Sequence, residues 1–600
     1  MTEPNSSPSI TEATLASVAD NGLWGPGAAT VNPAVIDLGN GLLAALQGDE
    51  TVQLPPELAE LVAAVRGIAT IGVPRITSGD GVRLSAFSIK LNGDQPRPVV
   101  IVPAGWSPVG WLPFVYAYLK LAQRGYHVLA YTPRGIGFPG WISTSEGFVD
   151  VAGPYDWADG STVIDYAMEH FEPSRVGFLG ESYGSGISQL VAAHDPANRV
   201  AAVVALSTWG NLATSLYANG TRHVKAVELL IGFTGGEKED KFDAVTLEIL
   251  DSFATGRNLD EVVAWGTERS PEAYADITNA RGIPTFVSNT WHETLFPASS
   301  VIETFNRLNV PKQLNLWIGD HGAPEGAGLS GLLTQLPFPG LADPLKEAYD
   351  FLDHHLLGVD NEAPNRRQVS NQVMFSYKTK PVLGGGQRIT EAARREGHDS
   401  WADVTTGTEA WYLTGVNGDG DGALADKQNA GWSRSFAAGL ETKATAVDEV
   451  LKTGQKEWTG NPRKYVLAEF ERENLLVWST DPLTGSGETA RRIRGAASVR
   501  LTVNSTEEAA TLVAYLFDVA PDGTARIITH EPYTVLDLTP GQDTTVDWQL
   551  QPAAYDVPVG HRVVLVVNSR DQLYSYAAKQ GTVTIGSPRG NESRLELPLG

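Results

Sequence analysis

Six apolar segments alternate with helical patterns between residues 98 and 320, and this alternation constrains the fold more than any other feature. Each segment is continuously apolar, as expected for a strand that is covered on both faces. Strands alternating with helices predict a parallel sheet with helices on both sides, which is an α/β class of fold. The six segments are residues 98–105, 126–135, 175–180, 200–207, 283–289 and 312–320.

Three regions outside these segments have a different character. Residues 1–75 are rich in Ala, Gly and Ser with weak helical periodicity, and predict an N-terminal helical extension. Residues 80–91 alternate in polarity like a strand at an exposed edge. Residues 210–280 are mostly helical in pattern and include the polar stretch GGEKEDKFD. This last region predicts a cap inserted over the sheet.

The pattern changes again after residue 365. Short segments of alternating polarity follow one another, separated by turn residues. That arrangement is typical of an antiparallel β-sandwich. We therefore expect three parts: an extension over residues 1–75, an α/β domain over residues 76–365 and a β-sandwich over residues 366–600.

Charge and cysteine content exclude several classes of function. The chain has 600 residues, a net charge of −25 and no cysteine. Disulfides and thiolate metal sites are therefore excluded, and a nucleic acid or an acidic membrane surface would be repelled. The N-terminus lacks the basic and apolar regions of a secretory signal, and no run approaches the length of a membrane span. We expect a cytoplasmic protein and leave open whether it forms a homodimer.

One serine is placed where a nucleophile would be. The sequence GESYG (180–184) matches the G-x-S-x-G pattern and stands between a predicted strand and a predicted helix. The pattern requires glycines because a sharp strand-to-helix corner brings two backbone segments close together. Such a corner would present the hydroxyl of Ser182 at the carboxyl end of the sheet and aim the backbone N–H of Tyr183 at a developing oxyanion.

A serine nucleophile needs a base and a carboxylate that orients the base. In folds with this kind of corner the chain order is serine, acid, histidine. His321 is the best base because it stands in a Gly/Pro-rich loop directly after a predicted strand. Glu293 is the best acid, since it follows the preceding strand, and Asp320 and Asp276 are weaker candidates.

The second oxyanion donor is expected in the loop after the first parallel strand. That loop is VPAGWSPVGW (102–111), and the backbone N–H groups of Gly105 or Trp106 could serve. The acidic and Gly-rich loop at residues 415–426 hints at calcium. It lacks the Glu of an EF-hand, however, and is better explained as a hairpin loop.

Three segments together resemble the X-prolyl dipeptidyl-peptidase/cocaine esterase family of serine hydrolases. They are GESYGSGISQLVAA, YTPRGIGFPGW…YDWADGSTVIDYAMEH and YLFDVAPDGTARIITHE…VPVGHRVVLVVNS. The resemblance covers about residues 78–590. It implies an α/β-hydrolase domain, a helical cap, a C-terminal jelly-roll and a Ser-Asp-His triad, which would place Ser182, Glu293 and His321 in the three roles.

The chain departs from the family pattern at two positions. Glu293 stands where the family usually has Asp. The family also commonly supplies a tyrosine hydroxyl to the oxyanion from a Pro-Tyr pair, whereas this chain has Pro103-Ala104. A backbone N–H or the Trp106 indole is expected to replace that hydroxyl, since losing one donor costs about 10²–10³ in rate.

The sequence therefore predicts a serine hydrolase that needs no cofactor or metal and cleaves a small ester or amide substrate through an acyl-enzyme. Esterase or acylase action is the leading expectation. Two alternatives stay open: an aminopeptidase that releases X-Pro dipeptides, and a non-catalytic protein that only binds a ligand.

Overall fold

The computed structural model describes residues 31–335, 342–382, 386–416, 420–446, 450–577 and 580–600. Residues 1–30 of the expected extension and residues 417–419 of the acidic loop lie outside this part of the chain. The chain divides into two units. The first comprises Met1–Ala213, Glu228–Thr290 and Ser300–Gln368, and the second comprises Thr214–Val227, Trp291–Ser299 and Val369–Gly600.

The first unit is built on one mixed sheet. Its strands are β1 (Ala69–Gly72), β2 (Arg75–Thr77), β3 (Arg83–Leu91), β4 (Val99–Pro103), β5 (His127–Tyr131), β6 (Val176–Glu181), β7 (Val200–Leu206), Thr285–Thr290 and Lys312–Trp317. The order across the sheet is β1-β3-β5-β4-β6-β7, followed by Thr285–Thr290 and then Lys312–Trp317, and β2 pairs with β3.

Six strands run parallel to one another: β4, β5, β6, β7, Thr285–Thr290 and Lys312–Trp317. The parallel sheet predicted from the alternating segments is thus confirmed, and β1 and β3 extend it in antiparallel fashion. The register places the carboxyl ends of β6 and β7 side by side, because Glu181 lies opposite Leu206. Polar residues that follow these two strands therefore meet at one edge.

The exposed edge predicted for residues 80–91 was wrong. Strand β3 lies between β1 and β5, and the residues from Leu84 to Ile89 are all buried. The alternation in polarity comes from Ser85 and Ser88, whose small side chains can be buried in the sheet. The outer position belongs to the short strand β1.

Helices cover this sheet and supply its connections. Their bounds are Pro33–Leu46, Pro56–Ile68, Val115–Arg124, Pro154–Phe171, Tyr183–His194, Leu212–Leu216, Val224–Gly232, Lys238–Lys241, Ala244–Thr255, Leu259–Glu268, Ala275–Arg281, Ala298–Arg307, Glu325–Leu329 and Lys346–Leu352, with a π-helical turn at Asp353–Leu357 and 3₁₀ turns at Leu112–Phe114, Pro271–Tyr274, Leu332–Gln335 and Ala363–Asn365. The chain between residues 210 and 280 is mostly helical, as its pattern predicted.

The helix Tyr183–His194, which follows Ser182, is almost entirely enclosed. Residues 183–193 are all buried, and the first half of the segment contains two glycines and two serines. Small residues let the helix approach the sheet and the helix Pro154–Phe171 closely on both sides. This tight packing holds the start of the helix at the end of β6.

The second unit is an all-β domain made almost entirely of antiparallel strands, as the C-terminal pattern predicted. Its long central pairs are Thr489–Ser505 with Thr544–Pro558 and Ala510–Val519 with Thr524–Val535. Its other strands are Tyr217–Ala218, Thr221–Arg222, Val369–Gln372, Lys378–Pro381, Gln387–Glu391, Arg395–His398, Gly407–Leu413, Gly422–Ala425, Trp432–Ala437, Tyr465–Val466, Leu476–Ser479, Arg562–Asn568, Thr582–Ser587 and Arg594–Leu599.

The core of this domain contains Tyr515, Phe517, Val564 and Val566, which lie on paired strands. One helix, Lys452–Trp458, and two 3₁₀ turns, Trp401–Asp403 and Leu467–Glu469, stand between its strands. Within the described ranges, no helix has both the length and the apolar character needed to cross a membrane.

Candidate active site

Ser182 occupies a strained corner between β6 and the helix Tyr183–His194. Its φ and ψ are 54° and −122°, in a region that L-residues with a side chain rarely adopt. The corner is held by the Ser182 N–H, which donates to Leu206 O at 2.9 Å, and by the Ser185 N–H, which donates to Ser182 O at 2.9 Å. Strain of this kind persists only where the surrounding structure enforces it.

The glycines of the GESYG motif are required by close backbone contacts. A Cβ at Gly180 would lie 2.1 Å from the carbonyl oxygen of Gly184, and a Cβ at Gly184 would lie 2.1 Å from that of Pro103. Both distances are far below van der Waals contact. The glycines of the motif therefore allow β6, the helix Tyr183–His194 and the end of β4 to pack closely against one another.

Ser182 and His321 meet in the folded first unit. The Oγ of Ser182 lies 2.6 Å from the Nε2 of His321, and the two residues are only 6% and 1% exposed. His321 follows the strand Lys312–Trp317, as the sequence predicted. A hydroxyl at this distance from an imidazole nitrogen can pass its proton to the ring as it attacks a carbonyl.

The loop that carries His321 is tied to the end of β7. The backbone N–H of Gly322 donates to Ser207 Oγ at 3.2 Å, and Ser207 itself has a positive φ of 43°. Asp320 is buried, and its Oδ1 accepts the backbone N–H of His321 at 2.7 Å. This carboxylate oxygen is thus hydrogen-bonded to the backbone of its own loop. Asp276, the other weak candidate for the acid, is exposed in the first turn of its helix.

A buried carboxyl group lies beneath the same loop. Glu325 is fully buried and accepts hydrogen bonds from Ser207 N at 3.1 Å, Ser207 Oγ at 3.2 Å and Trp317 Nε1 at 3.1 Å. Burial raises the pKa of Glu325 to about 7, although the hydrogen bonds it accepts act in the opposite direction. This group links β7, the strand Lys312–Trp317 and the segment that follows His321.

The residue after the nucleophile is anchored through its side chain. The hydroxyl of Tyr183 donates to Asp156 Oδ2 and accepts the backbone N–H of Ala152 at 3.1 Å. Burial, together with the negative charge of Asp150, raises the pKa of Asp156 well above its usual range. Asp156 therefore remains protonated to higher pH than an exposed aspartate. As the first residue of its helix, Tyr183 has a backbone N–H with no acceptor within the helix.

The loop after β4 lies beside the nucleophile. A Cβ built on Gly105 would lie 3.7 Å from the Cβ of Ser182 and 2.6 Å from Glu181 Oε2, so a side chain there would require the Glu181 carboxylate to move. The indole N–H of Trp106 donates to Leu230 O at 2.7 Å. Because that donor is engaged, the backbone N–H groups of this loop are better placed than the indole to replace the missing tyrosine hydroxyl.

A pocket of about 430 Å³ opens at Ser182. Its apolar wall is formed by Val31, Val35, Trp106, Pro113 and Phe114, and Glu181 is among its polar lining residues. Val31 and Val35 come from the N-terminal region, which the sequence assigned to a helical extension.

Glu293 lies in the segment Trp291–Ser299, which belongs to the second unit. It is buried, and its Oε1 accepts the backbone N–H groups of Leu295 at 2.9 Å and Phe296 at 3.2 Å. These bonds fix the direction of the carboxylate relative to its own loop. The residue follows the strand Thr285–Thr290, as the sequence predicted.

Sequence reasoning missed Ser207, Glu325 and Asp156 as residues that support the site. Ser207 carries a usable signal, because it directly follows a predicted parallel strand at the edge where functional side chains collect. Glu325 and Asp156 carry none, since nothing in the sequence tells a buried carboxyl from an exposed one.

Two family models match the chain. The model for X-Pro dipeptidyl-peptidase of the S15 family matches residues 80–323, and the model for the C-terminal non-catalytic domain of X-Pro dipeptidyl-peptidase matches residues 368–590. The two matches follow each other in the order of the α/β and all-β parts of the chain.

Individual relatives agree with these matches. A Bacillus anthracis protein named as an Xaa-Pro dipeptidyl-peptidase is 22% identical over 76% of this chain and 71% of its own length. A Mycobacterium bovis protein named as a serine esterase is 23% identical over 42% of this chain and 40% of its own. The crystal structure of a CocE/NonD family hydrolase from Staphylococcus aureus covers 89% of this chain and 94% of its own, with 12% identity and a TM-score of 0.62.

The solved structure shares the fold, and the two matched models share the order of the domains. Together with the serine corner, these findings identify the chain as an enzyme. It belongs to the X-Pro dipeptidyl-peptidase family of serine hydrolases, whose two models together match most of its length.

Proposed function

We propose that Ser182 is the nucleophile of this hydrolase, that His321 is its general base and that Glu293 orients His321. The observation that carries the proposal is the 2.6 Å contact between Ser182 Oγ and His321 Nε2, made at a strained corner at the end of β6. A hydroxyl held by a base in this way is the shared feature of activated serine nucleophiles.

In this mechanism, Ser182 Oγ attacks the acyl carbonyl carbon while His321 takes the hydroxyl proton. The oxyanion is stabilised by the Tyr183 N–H and by an N–H of the loop at Gly105 or Trp106. His321 then gives its proton to the leaving alcohol or amine, which leaves an acyl-enzyme. Water attacks the acyl-enzyme with His321 again acting as base, and the acid product is released.

The substrate class that we propose is an ester, or an activated amide, of a small apolar acid. The support is the pocket at Ser182, whose wall is largely apolar and includes Val31 and Val35. Such a wall favours a hydrocarbon acyl group by removing apolar surface from water. Esterase or acylase action is therefore the first candidate.

Release of X-Pro dipeptides is the second candidate, and the matched family model and the name of the Bacillus anthracis relative favour it. The two candidates differ in their leaving groups. The esterase proposal expects p-nitrophenyl butyrate to be hydrolysed with a kcat/KM at least tenfold above that of an X-Pro p-nitroanilide, where tenfold corresponds to about 1.4 kcal/mol of transition-state stabilisation. The reverse order would favour the peptidase.

The nucleophile is tested by Ser182→Ala. We expect this variant to keep its circular dichroism spectrum, to lose labelling by a fluorophosphonate probe and to lose more than about 10⁴-fold in kcat. Ser188→Ala is the matched control, because Ser188 is a buried serine of the same helix whose hydroxyl donates to Gly184 O at 2.6 Å. Labelling retained by Ser182→Ala and lost by the control would reject the assignment.

The acyl pocket is tested at Val35, which is buried in the helix Pro33–Leu46. Val35→Phe fills the pocket and is expected to lower the ratio of octanoate to acetate ester hydrolysis about tenfold, whereas Val35→Ala is expected to raise it. The ratios are measured as kcat/KM on p-nitrophenyl esters. If both variants keep the wild-type ratio, the acyl group lies elsewhere.

Two finer points stay predictions from the sequence: action in the cytoplasm and a jelly-roll topology for the C-terminal domain. Whether the protein forms a homodimer stays open.

A further inference from the structure

The segment that carries Glu293 is held at both ends within the second unit. The indole N–H of Trp291 donates to Gln372 O at 2.7 Å. Ser299 Oγ donates to Gln551 Oε1 at 3.1 Å. Between these two anchors lies His292, the residue directly before Glu293.

His292 uses both nitrogens of its ring. Its Nδ1 lies 2.8 Å and 2.9 Å from the two carboxylate oxygens of Glu457, and its Nε2 lies 3.0 Å from Ile528 O. A carbonyl oxygen can only accept, so Nε2 carries a proton. The carboxylate also accepts, so Nδ1 carries one too, and the ring is an imidazolium.

This ion pair is buried, since the side chains of His292 and Glu457 are 10% and 3% exposed. A buried pair is stable only when its geometry is good and its remaining polar atoms are bonded. Here the Ile528 carbonyl completes the bonding of the imidazolium.

We propose that His292 and Glu457 are positioning residues for the triad acid, which act by fixing the loop that holds the Glu293 carboxylate. This inference rests on the role proposed for Glu293. The Glu293 carboxylate is bound to the backbone of its own loop at Leu295 and Phe296, so any shift of the loop moves the carboxylate with it. A misplacement of about 1 Å in a catalytic group can cost about 10²-fold in rate.

According to this proposal, the rate of catalysis depends on a contact between His292 and Glu457, which lie 165 positions apart in the chain. The proposal also accounts for the position of His292 beside the proposed acid. The imidazolium contacts no reacting atom in this scheme. It acts through the loop alone.

The test compares His292→Gln and Glu457→Gln with the double variant in the full-length protein. We expect each single change to lower kcat about 10- to 100-fold on p-nitrophenyl butyrate, with KM within about threefold. The double variant should be no worse than the poorer single one, because the two residues act as one unit. If His292→Gln does not fold, Glu457→Gln carries the test, since it keeps the side-chain shape.

The matched control is a second histidine–carboxylate pair in the same unit. His561 Nδ1 lies 2.7 Å from Asp518 Oδ1, and neither residue belongs to the segment Trp291–Ser299. His561→Gln is expected to lower the thermal midpoint while changing kcat less than about twofold, since it removes a pair remote in sequence from the acid. If His292→Gln behaves like this control, the pair is structural and the inference falls.

Glu293→Gln separates this inference from the proposed function. If Glu293→Gln loses activity while folded His292→Gln and Glu457→Gln keep it, only the positioning role is rejected. If Glu293→Gln keeps full activity, Glu293 is not the acid and both proposals fall.

Discussion

Ser182 shows how strongly a single residue is constrained at this site. A non-glycine residue with φ of 54° and ψ of −122° costs on the order of 1–3 kcal/mol. The bonds from Ser182 N to Leu206 O and from Ser185 N to Ser182 O hold the residue in that conformation. This backbone conformation keeps the hydroxyl of Ser182 within reach of His321. The position of the hydroxyl therefore depends on the backbone of Ser182 as much as on its side chain.

The acid is the residue whose assignment most needs a direct test. Glu293→Gln keeps an acceptor for the loop N–H groups but removes the charge that would stabilise an imidazolium at His321. We expect kcat to fall about 10³- to 10⁴-fold. Steady-state kinetics on p-nitrophenyl butyrate measure the effect.

Asp320→Asn is the comparison for that variant. It keeps the oxygen that accepts the backbone N–H of His321, so kcat is expected to stay within about threefold of wild type. A larger loss in Asp320→Asn than in Glu293→Gln would move the acid to Asp320.

At the scale of elements, the site depends on how closely the helix Tyr183–His194 approaches the sheet. The helix begins directly after Ser182, and its small residues allow contact with β4, β6 and β7. The same approach places Tyr183 N–H at the corner and ties the Tyr183 hydroxyl to Asp156. Close packing here therefore positions both the proposed nucleophile and one proposed oxyanion donor.

Gly184→Ala tests that approach. The new Cβ would lie 2.1 Å from Pro103 O, so β4 and the helix must separate. We expect a loss of about 1–3 kcal/mol in the free energy of unfolding, and at least a tenfold loss in kcat because the loop after β4 moves with the strand. Urea denaturation and kinetics measure the two effects.

Gly67→Ala is the matched control, because Gly67 lies within the helix Pro56–Ile68 and a Cβ there would meet nothing within 4 Å. Alanine is the better helix former, so this variant should be more stable by about 1 kcal/mol and equally active. If Gly184→Ala matched the control in both stability and activity, the close contact between Gly184 and Pro103 would limit neither property.

At the scale of the whole molecule, buried carboxyl groups couple folding to pH. Glu325 in the first unit has its pKa raised to about 7, and Glu531 in the second has its pKa raised to about 8, in each case mainly by burial. A raised pKa means that the folded state binds a proton that the unfolded state has lost. The contribution of these two groups to stability is therefore largest below the usual pKa of glutamate and is lost as the pH rises through their raised pKa values.

Glu325→Gln isolates one of these groups. Between about pH 4.5 and pH 7 the wild type should lose up to about 3 kcal/mol of stability relative to this variant, and the difference should then level off. The measurement is the free energy of unfolding in urea at several pH values.

Glu60→Gln, at an exposed position, is the control and should show a constant difference across the same range. A constant difference for Glu325→Gln as well would mean that its carboxyl group titrates alike in both states.

The sequence by itself determined the parallel sheet, the serine corner and the strand end that carries His321. These features are encoded by neighbouring residues: an apolar strand, glycines at a tight turn and a helix start all lie within a few positions of one another. The order of domains followed in the same way, from the change in periodicity near residue 365.

Only the tertiary structure decided the inner position of β3, the apolar wall at Val35, the burial of Glu325 and the pairing of His292 with Glu457. Each depends on contacts between residues that are distant in the chain, and neither the burial of a polar side chain nor the neighbours of a strand can be deduced from local pattern. The residues proposed to carry the chemistry can be identified from local sequence patterns. The residues that hold them in place can be identified only from the packing of the folded chain.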